Sequence, residues 1–222
     1  MKAAFVCVVA ALALAGCAGL AHQAAPTVWL ALEPAPLHGG LRPGGPSVEV
    51  ARFATAAPFA TDRLASREGA GRWSFAAYHR WVADPGGMVS SRLREALSCA
   101  DLFGAVFTPP APLDAGYRLS GAVRGLYWDR EAGRAVLELE ASLLAAPDRL
   151  AGFWVRRAVV PVRGDTVGDF VAAASTAQVE VLGWLRAELA RALAADAVPA
   201  AGPRSSAGQP DAPGTPYFRS LR

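Results

Sequence analysis

The residues that could do chemistry in this sequence are two neighbouring carboxylates and three scattered histidines. Glu138 and Glu140 stand two residues apart in an alternating apolar and polar run, so both point to one side of a predicted strand. Such a pair could act as general acid and base, but no other convergent group accompanies it, and a solvated strand face explains the same pattern. The histidines, His22, His38 and His79, are not held at metal-ligand spacing, so we expect no metal site.

Sequence motifs of common enzyme classes are absent. The sequence has no G-x-x-x-x-G-K-[ST] phosphate loop, no G-x-S-x-G nucleophile elbow, no C-x-x-C pair and no H-E-x-x-H helix. Arginines and acidic residues are mixed along the chain and form no basic stripe of the kind that binds nucleic acid. The sequence therefore predicts a protein that is not an enzyme, uses no cofactor and binds no nucleic acid.

The most specific chemical signal is a cysteine at the end of an apolar N-terminal run. Lys2 is followed by uncharged residues up to Cys17, an arrangement typical of a secretory signal and too short to span a bilayer comfortably. The last four residues, Leu-Ala-Gly-Cys, resemble the bacterial lipobox, in which the cysteine is diacylated on sulfur and begins the mature chain. The alternative is an ordinary signal cut nearby, with Cys17 incidental. We interpret residues 1–16 as a lipoprotein signal peptide and Cys17 as the lipid attachment site.

An acylated Cys17 would tie the protein to a membrane through lipid. Residues 17–26 comprise this cysteine and a run of mostly small residues suited to a flexible linker. Ala18 stands where the inner-membrane retention signal usually has aspartate, so we expect the periplasmic face of the outer membrane of a Gram-negative bacterium. Cys7 would leave with the signal, and Cys99, which follows a predicted helix, is interpreted as a buried core residue.

Length and charge are those of one ordinary domain. The 206 residues after the predicted signal carry 21 arginines, no lysine and 19 acidic residues, a formal charge of +2. This length is enough for a real core. Residues 27–194 hold the periodic segments and are assigned to the domain. Residues 195–222 contain five prolines and three glycines with little apolar material, which predicts a disordered tail.

Alternating residues predict most of the strands. The clearest run places Leu137 and Leu139 on one side and Glu138 and Glu140 on the other, as in an antiparallel sheet with one dry face. The preceding run changes phase near Gly125, as a β-bulge would make it do, and the two runs should form a hairpin. Further strands are predicted over residues 27–32, 47–53, 58–68, 72–81, 101–107 and 153–162.

Two amphipathic helices complete the prediction. Asp84 can cap the first, with Pro85 at its first position, where the missing N–H costs nothing. Thr166 and Asp169 have capping-box spacing before a second helix of about 25 residues. The expected fold is a single α+β domain, in which a mostly antiparallel or mixed β-sheet carries two amphipathic helices.

An aromatic segment joins the predicted strand over residues 72–81 to the first helix. Trp73 and Phe75 share one strand face and are expected in the core. Tyr78 and Trp81 fit either core packing or partner binding, since large aromatics are common in both settings. As a hypothesis, we place a partner-binding surface at Tyr78, His79, Arg80 and Trp81.

The order of these segments resembles the ABC-type transport auxiliary lipoproteins over about residues 27–193. The resemblance rests on the lipobox Cys17, the strand TVWLAL, the run PFATDR, the segment YHRWVADPGGMVSSRLREAL, the hairpin YRLSGAVRGLYWDREAGRAVLELEASL and the long C-terminal helix. Val28 and Trp29 stand where the family usually carries paired tyrosines, and the proline-rich tail is unusual for the family.

The resemblance implies a non-enzymatic accessory component of an intermembrane lipid transport system. Its partners would be an inner-membrane ABC permease and ATPase and a periplasmic protein of the mammalian-cell-entry type, and homo-oligomers fit the family. The alternative is a structural or regulatory envelope lipoprotein that binds cell-wall or envelope-assembly proteins.

Overall fold

The computed structural model describes residues 25–34, 36–111 and 115–197. The predicted signal peptide, the predicted lipid attachment site Cys17 and most of the predicted C-terminal tail lie outside these residues. In the described part of the chain there are nine strands and two α-helices. The strands are β1 Val28–Leu30, β2 Ser47–Val50, β3 Ala54–Thr55, β4 Arg63–Glu68, β5 Arg72–Trp81, β6 Ala105–Phe107, β7 Tyr117–Asp129, β8 Arg134–Ala145 and β9 Arg149–Pro161, and the helices are α1 Pro85–Ser98 and α2 Val167–Asp196.

Strands β7, β8 and β9 form an antiparallel meander, which confirms the predicted β7–β8 hairpin and adds β9 to it. β8 pairs with β7 on one side and β9 on the other along almost its whole length. The register of β7 against β8 shifts between Val123 and Gly125, which confirms the predicted bulge. Leu137 and Leu139 are buried beneath the helices, which confirms the dry face of this sheet.

The other edge of β7 accepts three short strands in succession. β2, β3 and β4 all pair with β7 in parallel, at successive points along its length. β5 continues from β4 in antiparallel fashion and β1 pairs with β5 in parallel, while β6 pairs with β2 in parallel. The predicted strand over residues 47–53 ends at Val50, where β2 leaves the edge of β7, and the chain returns to that edge just beyond the predicted range, in β3. The result is one nine-stranded mixed sheet with two helices, and the predicted α+β class is confirmed.

Helix α1 begins at Pro85, as predicted, but Asp84 does not cap it with its side chain. The Asp84 carboxylate accepts a hydrogen bond from the Thr55 hydroxyl at 2.6 Å and pairs with Arg52. Gly86 lets α1 approach closely, since a Cβ there would lie 2.3 Å from the carbonyl oxygen of Phe53. The predicted capping role of Asp84 is therefore wrong: its carboxylate ties the helix start to β3.

Helix α2 carries the predicted capping box. The Asp169 amide donates to the Thr166 hydroxyl at 3.2 Å, and the Thr166 amide donates to the Asp169 carboxylate at 3.1 Å. Hydrogen bonds from the Thr166 hydroxyl and amide hold the pKa of Asp169 below its usual value. The helix has 30 residues and ends at Asp196, two residues beyond the boundary expected at residue 194.

The main core lies between the sheet and the two helices. Phe170, in the first turn of α2, stacks on Trp128 at 5.5 Å between ring centroids and lies 6.0 Å from Trp81. A small second cluster, around Phe59 and Tyr127, covers part of the outer face of the sheet. Among the described residues, neither helix combines the length and apolar character needed to cross a bilayer.

Candidate functional site

The two strand carboxylates are each paired with an arginine. Glu138 lies 3.1 Å from the Nε of Arg157 on β9, and Glu140 lies 3.7 Å from Arg124 on β7. Both pairs are on the outer face of the sheet and are partly exposed, where ion pairs contribute little to stability. In the described ranges, no three His, Cys, Asp or Glu side chains lie close enough to hold a metal ion.

The aromatic segment at the end of β5 divides between core and surface. Trp81 is 1% exposed and packs against Phe170, so it belongs to the core and cannot form part of a partner-binding surface. Tyr78 is 47% exposed. The register of β5 against β4 shifts between the Ala65–Phe75 and Arg63–Arg80 pairs, so Trp81 faces the main core although Trp73 and Phe75, at alternate positions of the same strand, face the other side. The hypothetical contact surface is thus reduced to Tyr78, His79 and Arg80.

Arg80 is held in a fixed orientation at this surface. Its Nη1 donates to both carboxylate oxygens of Asp62, at 2.8 and 2.9 Å. Arg80 also lies opposite Trp29 of β1, whose side chain is 58% exposed. An immobilised arginine flanked by exposed aromatic rings loses little entropy on docking, and these residue types are enriched in protein interfaces.

Trp73 and Phe75 do not enter the main core, contrary to expectation. Trp73 is 39% exposed and packs edge-on against Phe59 and Tyr127, with centroid distances of 5.1 and 4.9 Å. Phe75 joins the same outer cluster from β5. The sequence pattern identified two residues of one strand face but not which side of the sheet that face would be on.

A cavity of about 260 Å³ lies between the two helices and the loop that follows β1. Its walls are mostly apolar, with leucines from both helices and from the loop. Charged side chains, among them Arg92 and Arg186, line it as well. The uncharged part of the wall includes Leu37, Leu93, Leu97, Gln178, Leu182 and Gly183.

The loop after β1 covers the cavity because both of its ends are tied to a helix. The Glu33 amide donates to the Ser175 hydroxyl of α2 at 2.9 Å. Near the other end, the amide of Asp101, just past α1, donates to the Gly40 carbonyl at 2.9 Å. Gly39 has φ +108° and passes so close to α1 that a Cβ would lie 2.5 Å from the Cys99 carbonyl oxygen. These contacts fix the position of the loop, so the cavity is a regular part of the fold.

Gln178 is an unusual residue in the cavity wall. Its side chain is 2% exposed, and neither its amide nitrogen nor its carbonyl oxygen has a hydrogen-bond partner among the described residues. An unpaired buried carboxamide costs free energy, so most buried polar groups are paired. Cys99 also lines the cavity and is half-buried, where the sequence predicted a core residue.

Sequence reasoning missed this cavity, although one signal pointed to it. Ala174, Val181 and Leu185 form the buried stripe of α2 at helical spacing, and Gln178 stands in the same stripe. A glutamine among such positions breaks the apolar pattern. What could not be read from the sequence is that α1 and the loop after β1 would leave open space beside it.

Comparison with known proteins agrees with this architecture. A family model for the ABC-type transport auxiliary lipoprotein component matches residues 30–183. A Xanthomonas campestris protein of known crystal structure has a TM-score of 0.68 and 19% sequence identity, covering 77% of this chain and 98% of that chain. An uncharacterised protein of known structure has a TM-score of 0.60 and 16% identity, covering 74% of this chain and 99% of its own.

At these identities the solved structures show the fold alone. No curated protein matches the sequence significantly. The family model, by contrast, spans well over half of the residues and includes α1, the N-terminal half of α2 and the loop that covers the cavity. This chain therefore belongs to the ABC-type transport auxiliary lipoprotein family.

Proposed function

We propose that this protein is a non-enzymatic lipoprotein on the periplasmic face of the outer membrane, serving an ABC-type intermembrane lipid transport system. The observation that carries the proposal is the match over residues 30–183 to a family whose members are auxiliary to ABC transport. In this role an inner-membrane permease and ATPase supply the energy. The lipoprotein docks a periplasmic protein of the mammalian-cell-entry type at the outer membrane.

The proposed lipid anchor keeps the domain near the membrane. Val28, the first residue of β1, follows Cys17 by eleven residues. A fully extended stretch of that length reaches about 40 Å at most. Acylation at Cys17 would therefore restrict the domain to a thin layer at the membrane surface, where a periplasmic conduit would arrive.

The proposed docking surface consists of Tyr78, His79 and Arg80, together with Trp29. These residues lie on the paired strands β1 and β5, and β1 is where the linker from Cys17 enters the domain. The ion pair with Asp62 holds Arg80 ready for a partner carboxylate or carbonyl oxygen. The surface thus combines exposed aromatic area with an oriented donor, close to the point of attachment.

The experiment is affinity purification of the full-length protein from crosslinked cell membranes. We expect the permease, the ATPase and the mammalian-cell-entry-type protein to co-purify. Tyr78→Ala should reduce their recovery several-fold without unfolding the domain, because Tyr78 is 47% exposed and lies outside the core. Phe153→Ala removes a similarly exposed aromatic from β9, on the edge of the sheet remote from β1, and serves as the matched control.

Two results would contradict the proposal. Recovery of cell-wall or envelope-assembly proteins, with no transport component, would favour a structural or regulatory envelope lipoprotein. Turnover of nucleotide or of phospholipid and ester substrates by the purified protein, lost on substitution of one polar side chain, would contradict the non-enzymatic role.

A further inference from the structure

We propose that the cavity between α1 and α2 binds a single acyl chain that carries an amide group, and that Gln178 recognises that amide. The cavity volume of about 260 Å³ exceeds the ~150 Å³ of an apolar cavity that holds benzene, and approaches the ~300 Å³ of small ligand pockets. A segment of one chain fits this space. A lipid with two parallel chains does not.

The walls favour an alkyl chain. Leu93 and Leu97 from α1 face Leu182 from α2 across the cavity, and Leu37 contributes from the covering loop. Leu37 is also partly exposed, so apolar surface lies at the edge of the cavity as well as inside it. An apolar ligand would remove this surface from water, which is the main source of affinity in such sites.

The unpaired carboxamide selects the polar group of the ligand. Gln178 carries two N–H donors and one acceptor oxygen, none of which has a partner within the described residues or is accessible to water, so the side chain turns into the cavity to meet the ligand. An acyl amide satisfies both kinds of atom, because its carbonyl accepts from Nε2 and its N–H donates to Oε1. An ester supplies only the acceptor and leaves Oε1 unpaired, at a cost typical of a buried unsatisfied group.

The choice of a lipid rests on the proposed function in lipid transport, whereas the preference for an amide follows from Gln178 alone. Gly183 provides the means of blocking the cavity. It lies in its wall, and a Cβ built there meets nothing within 4 Å. A leucine at this position therefore projects into open space, and replacing a mid-helix glycine favours the helix.

The test uses the full-length protein, anchored in phosphatidylcholine nanodiscs, and decanamide bearing a photoactivatable diazirine in its chain. Labelled tryptic peptides are identified by mass spectrometry. We expect saturable labelling of peptide 164–186, which contains the cavity residues of α2, and of peptide 95–118, which contains Leu97 of α1. Unlabelled decanamide should compete about tenfold better than methyl decanoate, since one lost buried hydrogen bond is about 1.4 kcal/mol.

Variants separate recognition from folding. Gln178→Leu should remove the difference between the two competitors and raise the thermal midpoint by about 2–6 °C, because an unpaired polar group is gone. Gly183→Leu should abolish labelling. Ala172→Leu adds the same side chain to an exposed position of α2 outside the cavity and should leave labelling unchanged.

Three results would overturn the proposal: labelling that does not saturate, equal competition by amide and ester in the wild type, or a lower midpoint for Gln178→Leu. The outcome is separable from that of the proposed function, because labelling in nanodiscs requires no partner protein. Gly183→Leu should still co-purify with the transport components, since Tyr78 and its neighbours are unchanged.

Discussion

The Tyr117 hydroxyl donates a hydrogen bond of 2.6 Å to the carboxylate of Asp196, joining the first residue of β7 to the last residue of α2. Asp196 also pairs with Arg149 at the start of β9. Burial, followed by the hydrogen bond to Asp196, raises the pKa of Tyr117 to about 12 from its ordinary 10.0. The Tyr117 hydroxyl and Arg149 hold the pKa of Asp196 below its usual value. The C-terminal end of the helix is thus fastened to the sheet.

This contact predicts a specific alkaline instability. Because the folded protein keeps the Tyr117 proton to a higher pH than the unfolded chain, the stability from this group is complete below pH 10 and is lost as the pH rises toward about 12. Tyr117→Phe should flatten that part of the stability profile. Urea unfolding at a series of pH values measures it, and an identical alkaline loss in wild type and variant would assign the loss to other groups.

The same contact determines where the tail can be removed. Truncation after Ala197 keeps Asp196 and should change the thermal midpoint little, because the deleted composition predicts no core packing. Truncation after Ala194 removes Asp196 and should lower the midpoint. Equal midpoints for the two truncations would show that the Asp196 contacts contribute nothing, and a large fall on truncation after Ala197 would show that the tail packs on the domain.

Burial of Trp81 predicts a large loss of stability on truncation of its side chain. Trp81→Ala should destabilise the domain by about 3–5 kcal/mol, since it leaves a cavity beside Phe170. Tyr78→Ala, three residues earlier on the same strand, should change the free energy of unfolding by about 0.5 kcal/mol or less. Chemical unfolding of both variants gives the comparison, and similar losses at the two positions would contradict the division between core and surface.

The capping box of α2 is a second local stability element. Thr166→Ala removes the hydroxyl that accepts from the Asp169 amide, and should cost about 1 kcal/mol. Thr176→Ala is the matched control, because Thr176 is an exposed mid-helix residue and alanine is the better helix former there. The prediction fails if the two alanine variants unfold at the same urea concentration.

The lipid anchor can be tested independently of the domain. Cys17→Ser removes the thiol that would be diacylated, so the precursor should stay uncut by the lipoprotein peptidase and should incorporate no labelled palmitate. Membrane fractionation and palmitate labelling measure both effects. Palmitate incorporation and outer-membrane fractionation that survive the substitution would show that the lipobox interpretation is wrong.

Local patterns in the sequence were enough to predict the β7–β8 hairpin and the two helices. The β7–β8 hairpin, its bulge near Gly125 and the start of α2 at Thr166 all depend on residues close together in the chain. The strands that pair with the other edge of β7, away from β8, could not be predicted in the same way. Its partners β2, β3 and β4 come from far upstream, and short runs of alternating residues do not specify which strand they join.

The candidate site was predictable only in part, for a related reason. The segment from Tyr78 to Trp81 was recognised by residue type, but the burial of Trp81 depends on Phe170, a contact between residues 89 positions apart. Asp84 has the residue type and position of a cap, yet Thr55 and Arg52 take its carboxylate. In each case a distant partner, absent from any local pattern, decided the role.

The two edges of β7 differ in the sequence distance of their partners, and this difference sets an order of folding. The meander of β7, β8 and β9 closes only short loops, whereas the parallel strands pair with residues 62 to 69 positions further along the chain. We therefore expect the meander to form first, and β2, β3 and β4 to pair with the free edge of β7 afterwards. Amide hydrogens of β8 should then be the slowest to exchange with solvent, and those of β3 among the fastest.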